Sequence, residues 1–348
     1  MSAALKRLLL LSVAAWGCML PLQLQGAPVI PKEHIRTEDQ TFLTYPEWFL
    51  VFSPAEYATH LQSGRPSDFP FMGHVGQFWQ SYRAMVDQTV ERSYKFNGGY
   101  HLMVMVIGVS TTVEYALRSA YENTLGRVSE GTSFKATAED ALAASYAQDY
   151  VDFIRDLPWY RYDFLRQLKA LWSDVPWFGN QPVRKLERRF LLTSELIVKA
   201  AYGKLLGLAS GAVYDEARLD TAVIVTHPGA LTKAMTAKFE HIKVLDAADG
   251  SRALITVPRY ERFAAYATQL AVSGVDFENI AGNRSIILVS LLGPSAWRPV
   301  HTDAILFEQP ILTQHGTKRV VATVKVERLA DALRAWSGQA SVEHVFDY

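Results

Sequence analysis

Hydrophobic and polar positions along the chain follow two different rhythms, and the change falls near residue 220. Before it, apolar residues recur every three or four positions, the period of a helix with one buried face. "GHVGQFWQSYRAMVDQTVERSY" places Val75, Phe78, Trp79, Tyr82, Val86 and Val90 on one side and Gln80, Arg83, Asp87 and Glu91 on the other. "YHLMVMVIGVSTTVEYALRSAYENTLGR" is apolar all round for two turns, then amphipathic, with Leu102, Val106, Val109, Val113, Leu117 and Ala120 in one stripe. A membrane span needs about 20 mainly apolar residues. Here Ser110, Thr111, Thr112 and Glu114 interrupt the run, so the pattern predicts a central core helix, buried at its start and emerging at its end.

Other helical signals flank these two. Ser53, Pro54 and Glu56 stand where an N-cap, an N1 proline and an N3 acid belong, predicting a helix that starts at Ser53. Residues from Ala138 onward are helical in period and divided by Pro158. "LERRFLLTSELIVKAAYGKLLGLASGAVY" predicts a long helix with Phe190, Ile197, Ala201 and Leu205 inward and Arg188, Glu195 and Lys199 outward. Gly203, Gly207 and Gly211 recur every fourth residue, which predicts the close approach of another helix.

After "DTAVIVTHPG" the segments become short and rich in β-branched residues. "HIKVLDAADGSRALITVPRY" predicts two strands around Asp249-Gly250, and "ERFAAYATQLAVSG" a helix stopped by Gly274. "VDFENIAGNRSIILVSLL" predicts a second strand pair around Gly282-Asn283, followed by a proline-bearing loop and a strand, helix and strand to the end. The expected fold class is α+β: a mainly helical domain over residues 27–220, then a smaller α+β domain over 221–348 with helices on one face of a mainly antiparallel sheet. In rhythm, the second domain is similar to ferredoxin-like modules.

The N-terminus bears on location. Lys6 and Arg7 precede an apolar run from Leu8 to about Leu22 and the small residues Gly26 and Ala27, the layout of a secretory signal over residues 1–26. Leu24 and Gln25 make a poor cleavage site, so an uncleaved anchor is the alternative, and "AWGC" ending at Cys18 offers lipid attachment as a third. The expectation is an exported protein, periplasmic or held at the inner membrane facing the periplasm. Cys18 is the only cysteine, which excludes an internal disulfide, a cysteine zinc site and an iron–sulfur cluster.

Charge and motifs narrow the chemistry. Lys+Arg and Asp+Glu both number 35, so no overall field favours nucleic acid, and no nucleic-acid partner is expected. No phosphate-cradling, dinucleotide, nucleophile-elbow or HExxH motif is present; no metal site and no cofactor are expected. Glu114, Arg118 and Glu122 stand at i,i+4 spacing, read as an ion-pair ladder along one helix. The catalytic alternative makes Glu114 a general acid or base, with His74 or His101 beside it, in an envelope hydrolase.

Trp159, Arg161, Trp177, Arg184 and Arg188 belong to a segment that alternates aromatic and basic residues. That composition suits a lipid headgroup interface, and with Arg118 and Glu122 it marks a candidate polar or interfacial surface. The preferred expectation is therefore a binding or assembly role, with a membrane surface or an envelope protein as partner. A carrier of lipid or another apolar ligand, with a cavity around Met103 to Ile107, is a further alternative.

Overall fold

The computed structural model describes residues 28–36, 40–131, 135–210, 219–231, 241–246 and 250–347. The signal or anchor segment, Cys18 and Gly211 lie outside these residues. A helical part is followed by an α+β part, and the first strand starts at Asp220.

The helical part comprises α1 (Gln40–Leu61), α2 (Phe71–Glu91), α3 (Gly98–Tyr121), the short α4 (Arg127–Glu130), α5 (Ala138–Ile154), α6 (Phe164–Ser173) and α7 (Pro182–Ser210). A π-helical turn, Glu122–Gly126, joins α3 to α4. No helix starts at Ser53: α1 runs through Pro46 and Pro54, and the Ser53 hydroxyl is turned to His74 and Tyr115. Side-chain partners across the bundle thus override a local capping signal. Thr137, by contrast, does cap α5, in a reciprocal box with Asp140.

The α+β part contains two sheets where the sequence suggests one. Their strand orders are β2-β3-β1-β4 and β6-β7-β5-β8, and all neighbours are antiparallel. The strands are β1 (Asp220–Thr226), β2 (Lys243–Asp246), β3 (Arg252–Pro258), β4 (Asp276–Ile280), β5 (Ile286–Pro294), β6 (Ala304–Pro310), β7 (Thr317–Lys325) and β8 (Ser341–Val345). Among the described residues the helices of this part are α8 (Glu261–Val272) and α9 (Leu329–Trp336). The expected hairpin at Gly282-Asn283 is a crossover instead, since β4 belongs to one sheet and β5 to the other. Strand β6 occupies what reads in sequence as the proline-bearing loop.

The two sheets are copies of one unit, three strands, a helix and a strand. Val223 opposite Ile255 is matched by Val289 opposite Ala322. Each unit bulges at the same two places: Leu245 and Leu306 are the extra residues beside β3 and β7, and Glu278 and Glu343 those beside β1 and β5. Each helix also crosses to the other unit, α8 packing on β8 and α9 on β4.

One face of each sheet contributes to a shared core with α8 and α9, built around Val223, Val289, Phe263, Leu329 and Trp336. On the outer face of the second sheet, Leu288 and Val321 pack against Phe42, Tyr45 and Phe52 of α1 and Met85 of α2. The outer face of the first sheet, Ala222, Ile224 and Leu254, receives Ile30 from the N-terminal segment. The helical part is therefore bedded on one sheet by its first two helices.

Candidate functional site: an apolar outer face over a charged interior

Helix α7 has the period expected from its sequence and the opposite sense. Phe190, Ile197 and Leu205 are 65%, 51% and 64% exposed, whereas Arg188 is 3% exposed. In α3 the stripe of Leu102, Val106, Val109, Val113 and Leu117 is likewise exposed, while His101, Val104, Gly108 and Tyr115 face inward. The core-helix expectation for α3 is corrected accordingly. Periodicity identifies a face without saying which side of it water lies on, and buried charge partners decide the sense here.

Those partners tie α7 to α3 and α5. Lys199 lies 3.3 Å from Glu114, and Arg118 donates to Glu195 at 2.5 Å. Arg188 donates to both carboxylate oxygens of Glu122, at 2.8 and 2.7 Å. Arg184 donates to Asp140 at 2.8 Å, and Lys185 and Arg189 each reach Glu139 at 2.8 Å. Glu114, Arg118 and Glu122 thus bridge helices instead of forming the expected ladder along one. The π turn places Glu122 fully inside, and Gly126 leaves it room, because a Cβ there would lie 2.5 Å from Glu122 Oε2. Removing one partner of such a buried pair costs about 3–5 kcal/mol.

The residues expected on one aromatic-basic surface are therefore divided. Arg161 and Trp177 are exposed, the latter with the Arg189 guanidinium 4.2 Å from its ring centroid. Trp159 is half-buried and stacked on Tyr202 at 5.5 Å. Arg184 and Arg188 are interior, as is Glu122, and Arg118 is nearly so. Gly203 does permit a close approach, but by the backbone of Tyr160, whose carbonyl oxygen would be 3.2 Å from an added Cβ.

The catalytic candidates do not gather. Glu114 is half-exposed on α3 beside Lys199. His101 lies about 20 Å away along the same helix, its Nδ1 3.0 Å from the Tyr82 hydroxyl and its ring stacked on Phe96. His74 belongs to a different cluster. Its Nδ1 is 2.9 Å from Ser53 Oγ, which is 2.8 Å from the Tyr115 hydroxyl, and its Nε2 is 3.7 Å from Glu56 Oε2. Glu56 Oε1 in turn accepts from Arg319 at 3.1 Å, and Arg319 from β7 is clasped by Glu343 from β8.

Serine, histidine and glutamate in sequence of contact are the residue types of a hydrolytic triad, yet all three are buried. Burial first, and Arg319 second, lowers the His74 pKa to about 3, far from the value a general base needs at neutral pH. Cavities of about 420 and 350 Å³ lie instead in the α+β part, at equivalent places in the two units. Glu327 and Glu278 line one, Glu261 and Glu343 the other. The cluster around His74 joins α1, α2 and α3 to the second sheet.

Around Met103 to Ile107, Val104 packs on Phe49 and Phe78, and Met105 and Val106 are open to the outside.

Sequence reasoning misses the interior acids Glu130, Glu139, Asp140 and Glu187, and turns Glu195 outward where it is nearly buried. Their signal was the dense run of basic residues from Arg184 to Arg189 in a helix with an intact apolar stripe: so many charges on one face need carboxylates opposite.

No family model, curated protein or solved structure matches this chain.

Proposed function

We propose that this chain is a binding or assembly protein without a catalytic role, exported or held at the cell envelope, that works by setting the outer face of α3 and α7 against an apolar surface. The observation that supports this most strongly is the inverted polarity of α7: Arg184, Arg188 and Glu195 are turned inward while Phe190, Ile197 and Leu205 are turned outward. Each large apolar side chain left in water forgoes roughly 1.5–3 kcal/mol of burial, and a continuous exposed patch of them marks an interaction site. The secretory layout of residues 1–26 supports the envelope as the place.

In this reading the charged interior holds the platform rigid and the α+β part is carried upon it. The test is thiol protection in intact cells expressing the full chain. Cys18→Ser removes the native thiol, and single cysteines replace Ile197 on the outer face or Arg83 on the polar face of α2. A membrane-impermeant maleimide, supplied after the outer barrier is opened, should label the Arg83→Cys chain and leave Ile197→Cys largely unlabelled. Equal labelling rates would refute the reading.

A further inference from the structure

We propose that the occupant of this outer face is the surface of a lipid bilayer containing anionic lipid, and that α3 and α7 lie flat in it instead of crossing it. This rests on the association reading above and names its partner. Four observations favour lipid.

The first is composition. From Val183 to Leu205 the outward positions of α7 are apolar apart from Ser194 and Lys204, and from Leu102 to Leu117 those of α3 are apolar apart from Ser110 and Glu114, the latter held by Lys199 of α7. A protein partner would be met by about one hydrogen bond per 100–200 Å², and this face offers few polar groups among its apolar ones, Glu114 being already paired with Lys199.

The second is the setting of the face. Exposed Trp172 donates to Thr193 of α7 at 3.1 Å and packs on exposed Trp177, and the exposed cations Arg161 and Lys169 belong to the turn before α6 and to α6 itself, which pack on α7. Indole rings settle at headgroup level, and cations there meet lipid phosphates.

The third is one-sidedness. Segment Gly98–Glu130 is long and apolar enough to cross a membrane by length and composition. However, α2 exposes Gln80, Arg83, Asp87 and Glu91, and α5 exposes Asp149 and Asp152. Hydrocarbon around the whole bundle would strand those groups, so lipid touches one side only.

The fourth is the chain itself. Membrane attachment of a one-faced helix becomes durable with a second signal, and the apolar run from Leu8 to Leu22 provides one in sequence.

Depth measurement by spin label tests this on the full-length Cys18→Ser chain reconstituted with phosphatidylcholine–phosphatidylglycerol vesicles. Labels are placed at Val109→Cys, Ile197→Cys and, as the aqueous control, Arg83→Cys. The expected result is that the first two meet oxygen more readily than a water-soluble nickel chelate, about 5–10 Å below the phosphates, with the third reversed. Omitting phosphatidylglycerol should weaken vesicle binding of the chain at least tenfold.

Labels at 109 and 197 shielded from both agents would mean a protein partner or a second copy: the bilayer inference would fall and the association reading would stand. Labels there as open to nickel as the control would overturn both. A depth near the bilayer centre would overturn the flat arrangement in favour of a span.

Discussion

Arg319 and Glu343 repeat, atom for atom, the contact between Arg252 and Glu278: Nε lies 2.6 Å from Oε2 in one pair and 2.7 Å in the other. Both glutamates are bulge residues on the last strand of their unit, and both arginines sit at the same register of the third. What differs is the cover. Over Arg319 lie Glu56 and the ring of Phe52 from α1, and the arginine is 1% exposed, whereas Arg252 is 40% exposed.

The same substitution in the two units should therefore have unequal effects. Glu343→Gln leaves a buried guanidinium short of charge and should cost about 3–5 kcal/mol. Glu278→Gln breaks a pair that water already screens and should cost less than about 1 kcal/mol. Urea unfolding of the two variants reads the difference, and equal losses would contradict it.

The buried histidines make stability depend on pH. Burial, followed by the repulsion of Arg319 for His74 and of Arg259 for His344, lowers both pKa values to about 3. The unfolded chain, with histidine near 6.5, then binds protons more readily than the folded one. Stability is complete above pH 6.5 and falls by roughly 1.4 kcal/mol per unit for each histidine as pH drops toward 3. Glu56 acts oppositely: burial raises it to about 6 against the attraction of Arg319, so its contribution is full below pH 4.5 and lost as pH rises through 6. Burial raises Glu47 and Glu261 in the same sense as Glu56, so each histidine is read as a positive contribution to the slope of melting temperature against pH between 4.5 and 6.5. The slope should become less positive in His74→Gln, and an unchanged slope in that variant would contradict the assignment.

Helix α3 meets α2 through a glycine. A Cβ on residue 108 would lie 2.3 Å from Cε1 of Phe78 and 3.1 Å from the Trp79 ring, whereas one on residue 76 would meet nothing within 4 Å. Gly108→Val should therefore destabilise by about 1–3 kcal/mol. Gly76→Ala should stabilise by about 0.5–1 kcal/mol. Thermal melts of the pair check both signs.

A charge in the outer stripe should separate association from folding. Ile197→Asp touches no interior partner and should stay within about 0.5 kcal/mol of the parent in detergent. Recovery of the chain with membranes should drop markedly. A variant that unfolds, or one that remains bound, would each contradict the placement of Ile197.

Much of this architecture could be read from the sequence, and what could not has identifiable physical causes. The α+β class, the stop of α8 at Gly274 and the helical period of α2, α3 and α7 follow from local patterns. The internal repeat is present as well, in "RALITVPRYERFA" and "RVVATVKVERLA", where Arg252, Thr256, Val257, Glu261 and Arg262 answer to Arg319, Thr323, Val324, Glu327 and Arg328. One extra residue around Arg259-Tyr260 breaks the alignment and hides it. Two sheets and the strand β6 would have followed from recognising it.

The sense of α3 and α7 is a different matter. Hydrophobic periodicity assumes that apolar faces turn inward, and that assumption fails where charges pair inside. Arg188 reads as a solvated residue until Glu122, far away in sequence, is placed opposite it. Ser53 fails for the same reason, since its partners His74 and Tyr115 are contacts between helices.

The inverted polarity of α7 is tested most directly by two exchanges two residues apart, Arg188→Leu and Phe190→Arg, each followed by chemical unfolding in detergent. With Arg188 inside and Phe190 outside, the leucine should strip Glu122 of its partner and destabilise the chain by about 3 kcal/mol or more, while the arginine should change stability by less than about 0.5 kcal/mol. An ordinary helix with its apolar stripe in the core would give the reverse, a tolerated leucine and a disruptive arginine, and that result would contradict the arrangement.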